Sequence, residues 1–299
     1  MEYSDFIVLL ARQRSGTNPF RQVLGSHPEV LCLPEVFNNR AAHRESKGSW
    51  FGAESNYFNF VARHLGDDPQ QMLGRDDDED LFLDFLEYLR CFTSKRFMLI
   101  DVKYSSTHHV TKAWRFITNE PHLFSLIRKH RLRVINLQRR NYLRYCLSEL
   151  KAQATQRWTL WEKEAADNAQ IDHAIAVDID WLLRTLELCR SEDEVVMRSF
   201  ANYRLSLHLD YEDLFQEIGA AMSDQTLQRI AQWLGIEPTF VQTKPRYRKQ
   251  SVLPLEATIE NYDEVAQALS GTDFEYCLED EAIYRAGGRA PEAVASQAS

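Results

Sequence analysis

No Cys-x-x-Cys pair occurs in this chain. Its five cysteines, Cys32, Cys91, Cys146, Cys189 and Cys277, are scattered, odd in number and set mostly among apolar neighbours. That spacing argues against zinc frameworks and a disulfide scaffold, and fits buried thiols in a reducing compartment. No apolar run approaches the ~18–20 residues needed to cross a bilayer. The N-terminus passes from Met1 through Asp5 straight into a six-residue apolar run, too short and too poor in flanking positive charge for a signal peptide. The expectation is a soluble, cytoplasmic protein. Glycine (11) and proline (9) are scarce, which argues against a disordered chain. Positive charge is scarce as well: 35 Lys and Arg against 44 Asp and Glu give a net charge of −9. Non-specific nucleic-acid binding, which depends on neutralising phosphates, is therefore disfavoured. Any anionic ligand must be held locally, by a few placed cations and backbone amides.

What is present is ample apolar material, 44% of residues with 11% aromatic, enough for a large core. Short apolar runs alternate with amphipathic stretches, the pattern of parallel strands joined by helices. Strands are expected at Phe6–Ala11, Val30–Leu33 (closed by Pro34), Phe97–Val102, Arg133–Gln138, Ala174–Val177 and Arg204–Leu209. Helices are expected at Asn18–Gly25, Leu81–Thr93, His122–His130, from Arg139 through the "RRNYLRYCLSELKAQATQRW" stretch, at Ile179–Phe200 and at Asp224–Leu234. Residues 38–80 are polar and irregular, an excursion over the active face. The expected architecture is α/β, a P-loop-like three-layer fold with a central parallel sheet flanked by helices. One domain is expected over 1–284, followed by a small-residue flexible tail over 285–299.

The first strand runs into Arg12-Gln13-Arg14-Ser15-Gly16-Thr17-Asn18 and then a helix. A strand–loop–helix turn exposes the free N–H groups of the first helical turn, where the helix dipole adds partial positive charge, so phosphate or sulfate binds well there. Gly16 allows close backbone approach, while Ser15, Thr17 and Asn18 add short donors and Arg12 and Arg14 add charge. A Walker loop requires GxxxxGK[ST]; here Ala11 stands at the first glycine and the lysine is missing. An ATP-dependent kinase is thus the weaker reading of the same loop, and a non-catalytic nucleotide-binding scaffold is a third.

Arg14-Ser15-Gly16-Thr17-Asn18 resembles the 5′-phosphosulfate loop of sulfotransferases that use 3′-phosphoadenylyl sulfate (PAPS). That family also carries a strand followed by Arg and, eight residues later, Ser, both on the 3′-phosphate; Arg140 and Ser148 in "RVINLQRRNYLRYCLS" have that spacing. "LDYEDLF" resembles the family's Tyr-Glu-Asp segment, whose tyrosine, Tyr211 here, lies near adenine or else packs in the core. "PRYRKQS" resembles the basic loop over the phosphates, giving Arg248, Lys249 and Ser251, or else is a solvated charge run. "SHPEVLCLPEVFN" resembles the bacterial carbohydrate and lipid-sugar branch.

The resemblance implies a PAPS-dependent sulfotransferase acting on a hydroxyl of a small molecule, sugar or glycolipid, with PAPS as co-substrate and no metal. A homodimer is an open expectation. Arg14 would meet charge on the leaving phosphate, and Glu35, just after Pro34, would serve as general base. The rival base is a histidine, here His108 or His109. Lys103, ending a buried strand, either contacts the sulfuryl group or acceptor, or snorkels to the surface. Trp50, Phe51, Tyr57, Phe58 and Phe60 either wall the acceptor site or belong to the core.

Overall fold

The computed structural model describes residues 3–38, 53–65, 78–110, 120–156, 173–214, 222–241 and 253–279. Its helices are, in chain order, α1 (Thr17–Leu24), α2 (Tyr57–Leu65), α3 (Asp78–Arg90), α4 (His122–Lys129), α5 (Tyr142–Thr155), α6 (Ile179–Phe200), α7 (Tyr211–Leu214), α8 (Asp224–Leu234), α9 (Leu255–Thr258) and α10 (Tyr262–Leu269). The chain divides into two compact units: Met1–Gln138 with Arg190–Asp210 and Leu227–Gln242, and Arg139–Cys189 with Tyr211–Thr226 and Thr243–Ser299.

The first unit holds a five-stranded sheet of β1 (Phe6–Ala11), β2 (Val30–Glu35), β3 (Phe97–Lys103), β4 (Arg133–Gln138) and β5 (Ser206–Asp210). The strand order is β2-β3-β1-β4-β5, and every pairing is parallel. β1 and β3 are buried along their whole lengths, which is why they read as mostly apolar runs, interrupted in β3 by Asp101 and Lys103, rather than as alternating ones. Because all strands point one way, their carboxyl ends share one edge. The chain leaves β1 toward β2 on one side and later crosses from β3 to β4 on the other, so the loop after β1 lies at the topological switch point.

Alternation along the strands separates two faces. Phe6, Val8 and Leu10, with Met98, Ile100, Val102 and Val134, join one apolar cluster with residues of α2, α3, α4 and the end of α6. Aromatic rings knit this layer: Phe85 lies 5.1 Å from Tyr57 and 5.4 Å from Phe60, which makes these two α2 residues core. Trp50 and Phe51 lie outside the described residues. The opposite face carries Ile7, Leu9, Leu99, Asp101 and Lys103, and α1 meets it through Thr17 and Arg21.

Several boundaries differ from expectation. β2 continues through Pro34 to Glu35, with a register shift at that point; as an edge strand it tolerates the missing N–H. The stretch expected to be irregular contains α2, and α3 begins at Asp78, whose turn of three acids suits a helix N-terminus. α5 starts at Tyr142 because Asn141 caps it, its side chain accepting from the Arg144 N–H at 2.9 Å. Gly25 after α1 is right-handed, and a Cβ there would sit 2.9 Å from the Arg21 carbonyl, so space rather than conformation requires glycine.

The second unit packs Leu143, Cys146 and Leu147 of α5 against Leu182 and Leu186 of α6 and residues of α9 and α10. The strand expected at Ala174–Val177 reduces to an isolated bridge from Ile175 to Ile259. Beside it the Asn261 amide imitates a strand partner, accepting from the Val177 N–H at 2.9 Å and donating to its carbonyl at 3.0 Å. The expected tail at 285–299 lies outside the described residues. No helix among the described residues is long and apolar enough to cross a membrane.

A buried polar chain crosses the first face: Tyr104 Oη donates to Asn136 Oδ1 at 2.6 Å, and Asn136 Nδ2 donates to His208 Nδ1 at 3.3 Å. With its carbonyl accepting from Tyr104, the Asn136 amide can only donate to His208, so that imidazole is neutral at Nδ1. Burial, followed by the Arg229 charge, pushes the His208 pKa below its ordinary value. The unfolded chain therefore binds the proton more readily, and stability is expected to fall as pH drops below the ordinary histidine value of about 6.5. Thermal unfolding of wild type and His208→Gln across that range checks this; the variant should show the shallower pH dependence, and an equal slope would contradict it.

Candidate functional site

The loop after β1 is built for close approach. Arg14 has φ 62° and Gly16 φ 75°, with Ser15 between them at negative φ, so the sign alternates along three residues. Such alternation turns successive N–H groups toward one concavity. α1 begins at once after Gly16, with no side chain capping it and no acid in its first turn. The Ser15 hydroxyl, on a residue 1% exposed, has no hydrogen-bond partner among the described residues. An uncapped helix start and a stranded buried hydroxyl thus coincide in one loop at the sheet's switch point.

Beneath the loop lies a buried ammonium. Lys103, 2% exposed, does not snorkel: it donates to Thr17 Oγ1 at 2.6 Å and to Asp101 Oδ1 at 2.8 Å. Asp101, fully buried, also has Arg21 Nε 3.1 Å from its second oxygen, and Arg21 in turn donates to Asn18 Oδ1. Two cations thus tie the first turn of α1 to one carboxylate on β3. Asp101 carried a signal in the sequence: a lone acid two residues before Lys103 in an apolar strand must share its face.

Glu35 ends β2 on the same edge. Its Oε1 is 3.8 Å from Lys103 Nζ, while Oε2 accepts from Gln13 Nε2 at 3.2 Å and Asn38 Nδ2 at 3.3 Å. The side chain is 26% exposed, so solutes can reach it. Gln13 and Asn38 carried no such signal, since each is an ordinary polar loop residue until the fold brings it to Glu35.

Arg12 is held from within the fold. It is 5% exposed, donates from Nε to Glu192 at 2.9 Å and from Nη2 to Asp193 at 3.0 Å, and lies over the Tyr104 ring at 5.3 Å. Two carboxylates of α6 offset its charge, so it braces the base of the loop. His108 is exposed on the turn Tyr104–Val110. His109 beside it packs edge-on against Phe58 at 5.0 Å, and burial, then the His108 charge, lowers its pKa.

The second unit contains the other expected residues. Arg140 is exposed; its Nη2 donates to Asp213 at 2.9 Å and its Nε lies 3.6 Å from Glu212. The Glu212 carboxylate also accepts from the backbone N–H groups of Arg140 and Asn141, both at 3.1 Å, so a protein anion occupies the start of α5. Ser148 lies half-buried within α5. Tyr211 is buried, with the Arg139 guanidinium 4.9 Å above its ring, which covers one face. Arg248, Lys249 and Ser251 lie outside the described residues. No group of three metal-ligating side chains occurs among the described residues.

The ammonium network permits a direct check. Lys103→Met leaves the buried Asp101 with only Arg21 beside it, and a loss of about 3 kcal/mol in stability is expected, as for other broken buried pairs. Urea unfolding measures it; a loss under about 1 kcal/mol, the scale of a surface pair, would contradict the assignment.

No protein-family model matches the chain, and neither does any curated protein. Among solved structures it is similar to a sulfotransferase from Alicyclobacillus acidocaldarius, at 12% identity and TM-score 0.44, over 94% of this chain and 98% of that one. It is also similar to the mouse sulfotransferase SULT7A1 complexed with PAP, at 12% identity and TM-score 0.42, over 93% of this chain and 90% of that one.

Proposed function

We propose that this protein is an enzyme that transfers a sulfuryl group from PAPS to a hydroxyl of a sugar, glycolipid or other small molecule. The observation that carries the reading is the stranded Ser15 hydroxyl in a loop of alternating φ before an uncapped helix, at the motif that resembles a 5′-phosphosulfate loop. An anionic oxygen supplies the missing acceptor there, and the free N–H groups of α1 favour negative charge.

In this reading the loop amides, Ser15 and Thr17 hold the 5′-phosphate. Thr17 accepts from Lys103, so its own proton remains to be donated to the ligand. Lys103 spends two of its N–H bonds on Thr17 and Asp101, and the third is directed to the sulfuryl oxygens. Glu35 takes the proton from the acceptor hydroxyl as that oxygen bonds to sulfur. The bond from sulfur to the phosphate oxygen breaks on the opposite side, and its electron pair stays on PAP, where Arg14 and the loop donors offset the growing charge. In-line placement of the acceptor between Glu35 and the loop supplies the entropic part of the acceleration. Arg12, the loop's first residue, is held from below by Glu192 and Asp193.

By the family resemblance the 3′-phosphate falls to Arg140 and Ser148 and adenine to Tyr211; Arg248 and Lys249, which the same resemblance adds to the phosphate site, lie outside the described residues. At Arg140 the phosphate replaces Asp213 as partner to the guanidinium. His108 remains the second candidate base.

Thermal-shift measurements with PAP, ATP with magnesium, and NAD test the reading, followed by labelled-sulfate transfer to a panel of alcohols. PAP is expected to stabilise the protein, by about 2.7 kcal/mol at a hundred times its Kd, and the others to do much less. Stabilisation by ATP with magnesium but not PAP would overturn the proposal. Arg140→Ala should weaken PAP by about 1.5 kcal/mol in calorimetry while leaving AMP, which lacks the 3′-phosphate, unchanged. Glu35→Gln should lower turnover at least ~10²-fold at nearly unchanged PAP affinity; a rate near wild type would remove Glu35 as base.

A further inference from the structure

Glu35 ends β2 and the anion loop follows β1, yet these strands are not neighbours, because β3 lies between them. A side chain of the loop spans that gap. Gln13 Nε2 donates to Glu35 Oε2 at 3.2 Å, across the end of β3, where Lys103 Nζ stands 3.8 Å from the other carboxylate oxygen. A second donor reaches the same oxygen, Asn38 Nδ2 at 3.3 Å, and it comes from the turn after β2 itself. That turn is anchored in its own right. The Asn38 carbonyl accepts from Asn56 Nδ2 at 2.9 Å, and Asn56 caps α2 by accepting from the Phe58 and Asn59 N–H groups. Asn38 therefore fixes Glu35 relative to its own strand end, while Gln13 fixes it relative to the loop.

The two amides also divide the carboxylate. Each oxygen of an ionised carboxylate offers two lone-pair sites, and Gln13 and Asn38 take both sites of Oε2. Among the described residues Oε1 accepts no hydrogen bond; its ammonium neighbour at 3.8 Å is an ion pair beyond hydrogen-bond reach. With the side chain 26% exposed, Oε1 is the oxygen left open to a proton brought by a ligand. A neutral donor suits position 13. A cation there would stand as a second counter-charge beside Lys103 and hold the carboxylate back from a proton, whereas an amide orients it without neutralising it.

We propose that Gln13 is a positioning residue for Glu35: its amide holds Oε2, so that Oε1 faces the acceptor hydroxyl and receives its proton at a fixed distance from the loop that carries the sulfuryl donor. The assignment rests on the reading of Glu35 and the loop given under Proposed function.

Gln13→Leu keeps the bulk, deletes the donor and leaves the backbone N–H of the loop in place. In the full-length protein, with labelled PAPS and the same panel of alcohols, kcat is expected to fall ~10-fold, a part of the ~10²-fold or more that a well-placed general base contributes. PAP affinity in calorimetry and KM for PAPS should stay within about twofold of wild type, the split expected of a residue that does not touch the nucleotide. Gln13→Asn, which retains the amide but falls one methylene short of Glu35, should behave as Gln13→Leu does. A residue acting through Glu35 has nothing to act on once that carboxylate is gone, so Gln13→Leu added to Glu35→Gln should lower kcat no further. A wild-type kcat in both single variants, or an equal further loss in the Glu35→Gln background, overturns the assignment and leaves Glu35 as base. Glu35→Gln at a near-wild-type rate removes the base itself, and a wild type that binds no PAP or sulfates no alcohol of the panel removes the reading beneath it; either result takes this assignment with it.

Discussion

A lysine ammonium buried to 2% exposure needs a counter-charge and hydrogen-bond acceptors, or its desolvation would unfold the region around it. Asp101 supplies the charge and Thr17 the second acceptor, and this single requirement ties β3 to the first turn of α1. Arg21 answers the remaining oxygen of Asp101 and reaches on to Asn18, so the loop between β1 and α1 is fastened from below at two adjacent residues. Glu35 at the end of β2 completes the group at 3.8 Å from the ammonium. The edge where a ligand would sit is thereby preorganised by interactions that exist before any ligand arrives.

The charge distribution follows the same economy. In a chain of net charge −9, several cations are balanced where they stand. Arg12 meets Glu192 and Asp193, and Arg140 meets Asp213 and Glu212. In the loop after β1 the buried donor without a partner among the described residues is a neutral one, the Ser15 hydroxyl. This arrangement selects an oxygen-rich ligand by geometry more than by long-range attraction, which a screened, acidic surface would not provide.

Much of the fold was legible because its strands are buried on both faces. The run Phe6–Ala11 stood out as an unbroken apolar segment, Arg133–Gln138 through its Val134, Ile135 and Leu137, and Ile179–Phe200 as one long amphipathic helix. Pro34 misled at β2, because a proline ends a central strand but survives on an edge. The candidate site was less legible wherever a residue's state depends on a distant partner. Nothing local to Arg12 announces two carboxylates some 180 positions away on α6. Likewise the start of α5 looked like an open anion site until Glu212 was brought to it. Lys103 was ambiguous for the same reason: burial or snorkelling is decided by Asp101 and Thr17 together, and only the first lies nearby in the sequence.

The central claim is that the loop from Arg12 to Thr17 completes its hydrogen bonds with the 5′-phosphate of an adenosine nucleotide. A crystal structure of the protein grown with PAP tests it most directly. The account requires the 5′-phosphate oxygens within hydrogen-bond distance of Ser15 Oγ and of the first amides of α1, with Glu35 facing the open side of the phosphate. Nucleotide bound elsewhere, with the Ser15 hydroxyl still lacking a partner, would contradict it.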